Sequence, residues 1–375
     1  MKANYLIQTC VWTLLVLGGL LLMRFFPPLA IGHHALRRVD LLGDVRFPAP
    51  SAASDTIGDT IPPPPQVVFL DTCLTGMTCI EDYSDSTRRG MAPFYEALRE
   101  HTRFPRPVRI AVFGDSFIEA DILTADLRNL LQSAYGGRGV GYVDVASPNY
   151  GWRPTVRQSF DGWQSHAVTD SVHFDRSREG ISERYFIAQP GAYVELRGQT
   201  QYGTRLDSAD RAAIYFRAEE EVSLTATVNR RFSREQRFLP GGNLQRMEVN
   251  GPVGTVRWVI DQATAATTFY GVTMDDTEGI SLDNFALRST TGLSLRSIPE
   301  SFLKEFNAFR PYDLVILLFG LNVATEHGHN YDKYTRGMQR TIDHLKTCFP
   351  DAGLLVVGVG DRDYRTPEGE LHTMP

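Results

Sequence analysis

A serine hydroxyl at the tip of a strand is a candidate nucleophile, and Ser116 has that setting. Gly114-Asp115-Ser116 directly follows the apolar run Val108-Arg109-Ile110-Ala111-Val112-Phe113. Behind it Ile118, Ile122, Leu123, Leu127, Leu130, Leu131 and Ala134 recur at helical spacing, which predicts a strand, a tight glycine turn and an amphipathic helix. Backbone N–H groups at such a helix start point toward whatever the serine attacks. The tripeptide alone is equally accounted for by Asp115 or Ser116 serving only as a helix N-cap. Two further segments carry donors. Leu314-Val315-Ile316-Leu317-Leu318-Phe319 reads as a buried parallel strand ending in Gly320-Leu321-Asn322, at the strand end where open α/β sheets place ligands. Between the two blocks lies the small-residue loop Arg288-Ser289-Thr290-Thr291-Gly292-Leu293-Ser294, in which Gly292 lets a bare backbone N–H approach a ligand.

Taken in this order, the Gly-Asp-Ser block, the Ser-Thr-Thr-Gly loop and the Gly-Leu-Asn block resemble the SGNH (GDSL) hydrolases. The resemblance implies that Ser116 is the nucleophile. It also implies an oxyanion hole formed by the N–H of Ser116, the N–H of Gly292 and the side chain of Asn322, a set of preorganised donors suited to the charge of an acyl-transfer intermediate. The run from Gly114 to Thr124 and Asp283-Asn284-Phe285-Ala286-Leu287-Arg288 look most like the exported bacterial subgroup that includes peptidoglycan O-acetylesterases. The resemblance covers residues 105–150 and 280–375. That subgroup usually has His after the serine, whereas Phe117 stands here, which bears on substrate choice. The implied fold is α/β, a flavodoxin-like parallel sheet flanked by helices, and the implied activity is a serine esterase removing acetyl groups from cell-wall glycan or another polysaccharide through an acyl-serine. No metal or organic cofactor is implied. An O-acetyltransferase on the same site and a non-catalytic glycan-binding protein are the alternatives.

Such a serine needs a general base, in this family the His of a C-terminal Asp-x-x-His. None follows Asn322. The chain continues through a helix over Tyr331 to Cys348, with Tyr334, Met338, Ile342 and Leu345 on one face, and a strand over Leu354 to Val357, so the second half of the hydrolase domain reads as incomplete. Asp170-Ser171-Val172-His173 is an Asp-x-x-His, but it precedes Gly292 and Asn322, and so short a motif also arises by chance. His327 and His329, in Glu326-His327-Gly328-His329, read as a solvated loop, with pocket lining or metal binding as the other options.

The 375 residues, 42% of them hydrophobic, suffice for two cores. A net charge of −6, with no basic stripe, excludes a nucleic-acid footprint. Tyr5 to Met23 is an uncharged stretch about long enough to span a bilayer, without an Ala-x-Ala-like cleavage site. Residues 1–25 therefore read as a signal anchor, a transmembrane helix, and 26–66 as a linker ending in four prolines. Lys2 before the span against Arg24, Arg37 and Arg38 after it would by count leave the body in the cytoplasm. The resemblance, and the close spacing of Cys73 and Cys79, favour an extracytoplasmic body on the periplasmic side of a bacterial inner membrane, although two free thiols fit that spacing as well.

Residues 67–150 and 281–375 are the two parts of the hydrolase domain. Gly292 lies 176 positions after Ser116, far more than one crossover needs. Within the intervening 151–280, short alternating runs at Tyr193 to Arg197, Ala212 to Phe216, Val222 to Val228, Thr255 to Ile260 and Thr267 to Val272 predict an inserted β-sandwich. The resemblance implies that this insert is like a carbohydrate-binding module. Trp152, Trp163, Tyr202 and Trp258 are candidates for stacking on sugar rings, or for its core. Gly136-Gly137-Arg138-Gly139-Val140-Gly141 follows a helix, not a strand, so it reads as a flexible loop and not a phosphate cradle.

Overall fold

The computed structural model describes Thr9, 11–15, Ala30, Ile31, His34, Ala35, 79–84, 89–170, 174–325, 328, 330–360, 362–366 and 369–373. The chain divides into two units, Met1–Thr78 and Cys79–Pro375. In the first, Thr9 and 11–15 are helical, and Ala30–Ile31 pairs antiparallel with His34–Ala35. Among the described residues no helix is long and apolar enough to cross a membrane. Most of the span expected from Tyr5 to Met23, and the Pro-rich stretch from Gly43 to Gln66, lie outside them.

In chain order the second unit runs α1 (Ala92–Arg99), β1 (Val108–Gly114), α2 (Thr124–Tyr135), β2 (Gly141–Asp144), β3 (Arg157–Ala167), β4 (Arg184–Arg197), β5 (Ala209–Ala218), β6 (Val222–Val228), β7 (Phe232–Phe238), β8 (Gly241–Val253), β9 (Thr255–Gln262), β10 (Thr268–Asp275), β11 (Ile280–Ala286), α3 (Glu300–Phe309), β12 (Leu314–Leu318), α4 (Asp332–Cys348), β13 (Gly353–Val357), β14 (Asp363–Arg365) and β15 (Leu371–Thr373). Four strands form a parallel sheet in the order β11-β1-β12-β13. β1 is buried at every position, as an apolar strand covered on both faces must be. Alternate residues go to opposite sides. Ala111 and Phe113 join a core with Phe302 and Phe306 of α3 and Leu345 of α4, while Val108, Ile110 and Val112 pack with Phe94 and Leu98 of α1. The sheet is thus the middle of three layers.

Strands β2 to β10 form a nine-stranded antiparallel sheet, in the order β8-β5-β10-β4-β9-β6-β7, with β2 on β10 and β3 on β4. Phe186, Ile214, Phe216, Leu224, Met247, Trp258 and Phe269, from six of these strands, share one buried core. A flat sheet cannot enclose a core of its own, so the arrangement is sandwich-like. The five expected strand segments fall on β4, β5, β6, β9 and β10. β7 was not legible because it is nearly all exposed and polar between Phe232 and Phe238. The antiparallel sheet also takes β2 from ahead of position 151, and Ile280 already begins the parallel strand β11.

The two sheets are joined by buried charge. Arg310 grips Asp283 of β11 through Nε at 3.0 Å and Nη2 at 2.8 Å, and reaches Asp275 of β10 through Nη1 at 3.0 Å. The Tyr312 hydroxyl donates to Asp283 at 2.6 Å, and the backbone N–H of Tyr142 in β2 does so at 2.8 Å. Burial opposes ionisation of Asp275, yet Arg310, Arg109 and Arg211 hold its carboxyl down at about 2. The glycine run before β2 is packed, which corrects the flexible-loop reading. Gly137 and Gly139 have φ of +91° and +86°, and a Cβ on either would lie within 2.5 Å of backbone at Ile280 or Met274.

Candidate active site

Three turns leave the parallel sheet side by side, because Ala286 and Leu318 both pair with Gly114 in register. The turn after β1 is closed by Asp115, a fully buried residue whose Oδ1 accepts the N–H of Phe117 at 3.0 Å. Ser116 is half-buried at the top of this turn and Phe117 is exposed. Gly114 is required below it, since a Cβ there would meet Ile118 Cδ1 at 2.8 Å and the Leu318 carbonyl at 3.0 Å.

The turn after β11 is tied to the first by the N–H of Leu287, which donates to the Gly114 carbonyl at 3.0 Å. Its Gly292 has φ +80°, and a Cβ would strike Phe319 at 2.7 Å and Met338 at 2.8 Å. Only glycine serves there. Helix α4 clamps this loop from outside: the Tyr334 hydroxyl donates to Thr291 O at 3.0 Å and Thr341 Oγ1 to Gly292 O at 3.4 Å. Burial first, and then the Asp115 charge, push the Tyr334 hydroxyl up to about 12, so it stays a donor.

The turn after β12 presents Asn322, which is exposed. Its Nδ2 donates to Asp115 Oδ2 at 3.0 Å and to the Thr290 carbonyl at 2.8 Å. One amide therefore touches both other turns. Its two N–H bonds are both engaged, and the reverse amide orientation would set an oxygen against two acceptors. Among the described residues nothing accepts from the N–H of Ser116 or of Gly292, and Ser116 Oγ has no partner. Arg362, beyond β13, donates to the Leu321 and Ala324 carbonyls and fastens the turn from below.

The helix expected directly behind Ser116 starts eight residues later, at Thr124. Ala120 and Asp121 have φ of +51° and +64°, a left-handed kink that interrupts any α-helix. The kink is held by the Asp121 carboxylate. It accepts from Arg153 Nε at 2.8 Å, Thr124 Oγ1 at 2.9 Å, Asn284 Nδ2 at 3.0 Å, Arg128 Nη1 at 3.1 Å and the Thr155 hydroxyl. Burial opposes its ionisation, but Arg128 and Arg153 hold it far below the ordinary carboxylate range. Consequently α2 buries Arg128 and Gln132, with Arg128 Nη2 donating to Leu282 O at 3.1 Å, while Ile122 and Leu130 stay exposed. No helix N-terminus lies at Ser116.

No histidine ring among the described residues is bonded to Ser116: His101 contacts Leu98 O, His344 contacts Ile298 O, His166 stacks on Tyr185 and His372 lies beside Glu370. His173, His327 and His329 lie outside the described residues. Asp170 accepts the N–H of Ala167 in the turn after β3. Among the described residues no cluster of His, Cys, Asp or Glu is placed to hold a metal. Of the candidate sugar-stacking rings, Trp258 is fully buried, Trp163 packs edge-on against Phe269 and donates to Tyr193 O, and the Tyr202 hydroxyl donates to Asp126. Trp152 is 84% exposed.

No protein-family model matches the chain, and no curated protein matches it. Among solved structures, a peptidoglycan O-acetylesterase aligns with a TM-score of 0.57 at 19% identity, over 72% of this chain and 72% of its own. That likeness shows a shared fold. A family two carbohydrate esterase from Cellvibrio japonicus aligns over 58% of this chain and 78% of its own, with a TM-score of 0.23 and 8% identity. The carbohydrate-binding module CBM35 from Paenibacillus barcinonensis aligns over 36% and 96%, with a TM-score of 0.23 and 10% identity.

Sequence reading named Ser116, Gly292 and Asn322 but not the residues that hold their turns in place. Asp115 and Tyr334 act through hydrogen bonds to turn backbone or to Asn322. Glu119, buried, receives Arg288 at 2.7 Å and ties the first turn to the second. The charged residues in Phe117-Ile118-Glu119-Ala120-Asp121 and in Arg288 were the available signal, since a charge next to an apolar helix pattern needs a partner.

Proposed function

We propose that this protein is an SGNH-type serine esterase that removes acetyl groups from cell-wall glycan or a related polysaccharide. The observation that carries the reading is the Asn322 amide, which fastens the Ser116 turn to the Gly292 turn at the C-terminal edge of a parallel sheet. The fold shared with a peptidoglycan O-acetylesterase supports it. Ser116 Oγ attacks the ester carbonyl, the alcohol leaves, and water releases acetate from the acyl-serine. The unengaged N–H groups of Ser116 and Gly292 stabilise the oxyanion. Asn322 joins them by exchanging its bond to Thr290 O for the substrate oxygen. We further propose an extracytoplasmic body held by the N-terminal apolar stretch, which the disulfide-bonded state of Cys79 supports.

A second reading, glycan binding without catalysis, is favoured by the lack of any base at Ser116 among the described residues. Acetate release from p-nitrophenyl acetate and from O-acetylated peptidoglycan separates the two. Turnover that disappears in Ser116→Ala supports the esterase. Inertness of the wild-type chain, or an active and folded Ser116→Ala protein, sinks it. Acetyl appearing on an added glycan acceptor would redirect the reading to an acetyltransferase.

A further inference from the structure

Trp152 stands on a short turn, Tyr150–Trp152, at the entrance to the antiparallel sheet, and its ring is the most exposed tryptophan face of the second unit. Beside it is a surface pocket of about 450 Å³ whose wall includes Tyr150, Trp152, Arg157, Gln158, Gln199 and Gln201. That volume is in the range of small-molecule sites. The Tyr150 ring is steadied edge-on against Phe160 at 5.1 Å, so the aromatic rim is built and not merely exposed.

The two glutamines beneath the rim are the second observation. Gln158 is 7% exposed; its Nε2 donates to Asp144 O at 2.7 Å and Val145 O at 3.2 Å, which leaves Oε1 unpartnered. Gln199 is 9% exposed; its Oε1 accepts the N–H groups of Gln201 at 2.7 Å and Tyr202 at 3.3 Å, which leaves Nε2 unpartnered. Each amide is locked by two backbone bonds, so both glutamines are fixed parts of the pocket wall. The apolar face of a sugar ring matches the exposed Trp152 face, and sugar hydroxyls, each both donor and acceptor, match a wall built of glutamine and arginine side chains.

We propose that the Trp152 pocket is a binding subsite for a neutral oligosaccharide. Arg153 lines this pocket and also a smaller hollow bordered by Glu119 and Ala120, which follow Ser116 in the chain, while its guanidinium is bonded to Asp121. A glycan seated on Trp152 would therefore extend past Arg153 toward the Ser116 turn; this last step rests on the esterase reading, the subsite itself does not.

The test is titration of the full chain carrying Ser116→Ala with a tetramer of β-1,4-linked N-acetylglucosamine, and separately with xylotetraose, followed by isothermal titration calorimetry. Saturable binding of at least one tetrasaccharide, weakened about tenfold by Trp152→Ala and restored in part by Trp152→Phe, is expected. Absence of saturable binding up to ~10 mM for both sugars, or affinity unchanged in Trp152→Ala, would overturn the proposal. Because the serine is absent, sugar binding with no ester turnover in the wild-type protein would defeat the esterase reading and leave the subsite standing.

Discussion

Asn322 Nδ2 lies 3.0 Å from Asp115 Oδ2, so residues 207 positions apart in sequence are joined by a single side-chain hydrogen bond. The same nitrogen reaches Thr290 O at 2.8 Å. Asp115 in turn holds Phe117 N–H with its other oxygen, which means that its carboxylate fixes the serine turn and the Asn turn together.

Removal of that amide should separate two effects. Asn322→Ala loses an oxyanion donor and the tie between turns, and should lower ester turnover by about 10² to 10³. Asn322→Asp places a carboxylate against Asp115 and should lower both turnover and melting temperature, since like charges at hydrogen-bond distance repel. Turnover in Asn322→Ala within about threefold of wild type would show that the side chain acts on neither the oxyanion nor the turn.

Gly292→Ala tests the second turn. A Cβ at φ +80° and 2.7 Å from Phe319 Cδ2 cannot be accommodated without moving the loop. The left-handed backbone alone costs of order 1–3 kcal/mol for a non-glycine residue. A drop in melting temperature with loss of ester turnover is the expected outcome; an unperturbed, fully active variant would mean the loop has room that the contacts with Phe319 and Met338 deny.

Asp121→Asn should destabilise the protein by about 3–5 kcal/mol, because it leaves the buried guanidinium groups of Arg128 and Arg153 without their charge partner. The pH dependence has a definite sign. The folded carboxyl is held below its unfolded value, so its contribution is present above about pH 4 and is lost as the pH falls further. Urea unfolding at pH 7 and at pH 3 reads both, and a variant whose deficit is the same at the two values would refute the electrostatic account.

Glu179 and Glu183 have the opposite sign. Burial raises both, the neighbouring Glu183 raises Glu179 further, and their carboxyls titrate at about 8 and about 7 despite Ser294, Arg184 and Arg176 lowering Glu183. Both hold a proton in the folded state that the unfolded chain has released. Their stabilisation is complete below about pH 4 and is lost as the pH rises toward 8. Urea midpoints should fall over that interval. Glu179→Gln, which carries no charge at any pH, should gain on wild type as the pH rises; an unchanged slope would rule the pair out as its cause.

Sequence by itself determined the elements whose apolar pattern repeats locally. β1 and β12 were legible from runs such as Val108 to Phe113 because burial on both faces demands nearly continuous apolar residues, β13 from a similar short run, and α4 from the helical spacing of Tyr334, Met338, Ile342 and Leu345. The blocks around Ser116, Gly292 and Asn322 stood out because their glycines mark turns beside apolar runs, and their order carried the family resemblance. The tertiary structure alone decided where α2 begins, since the kink at Ala120 and Asp121 depends on Arg153, Thr155 and Asn284, all distant in the chain. It decided which tryptophan stays outside, because burial of Trp258 against exposure of Trp152 follows from which strand faces close on the core. It also decided that the Asn322 amide is engaged by Asp115 and Thr290, a consequence of strand ends brought level by a register that no local pattern encodes.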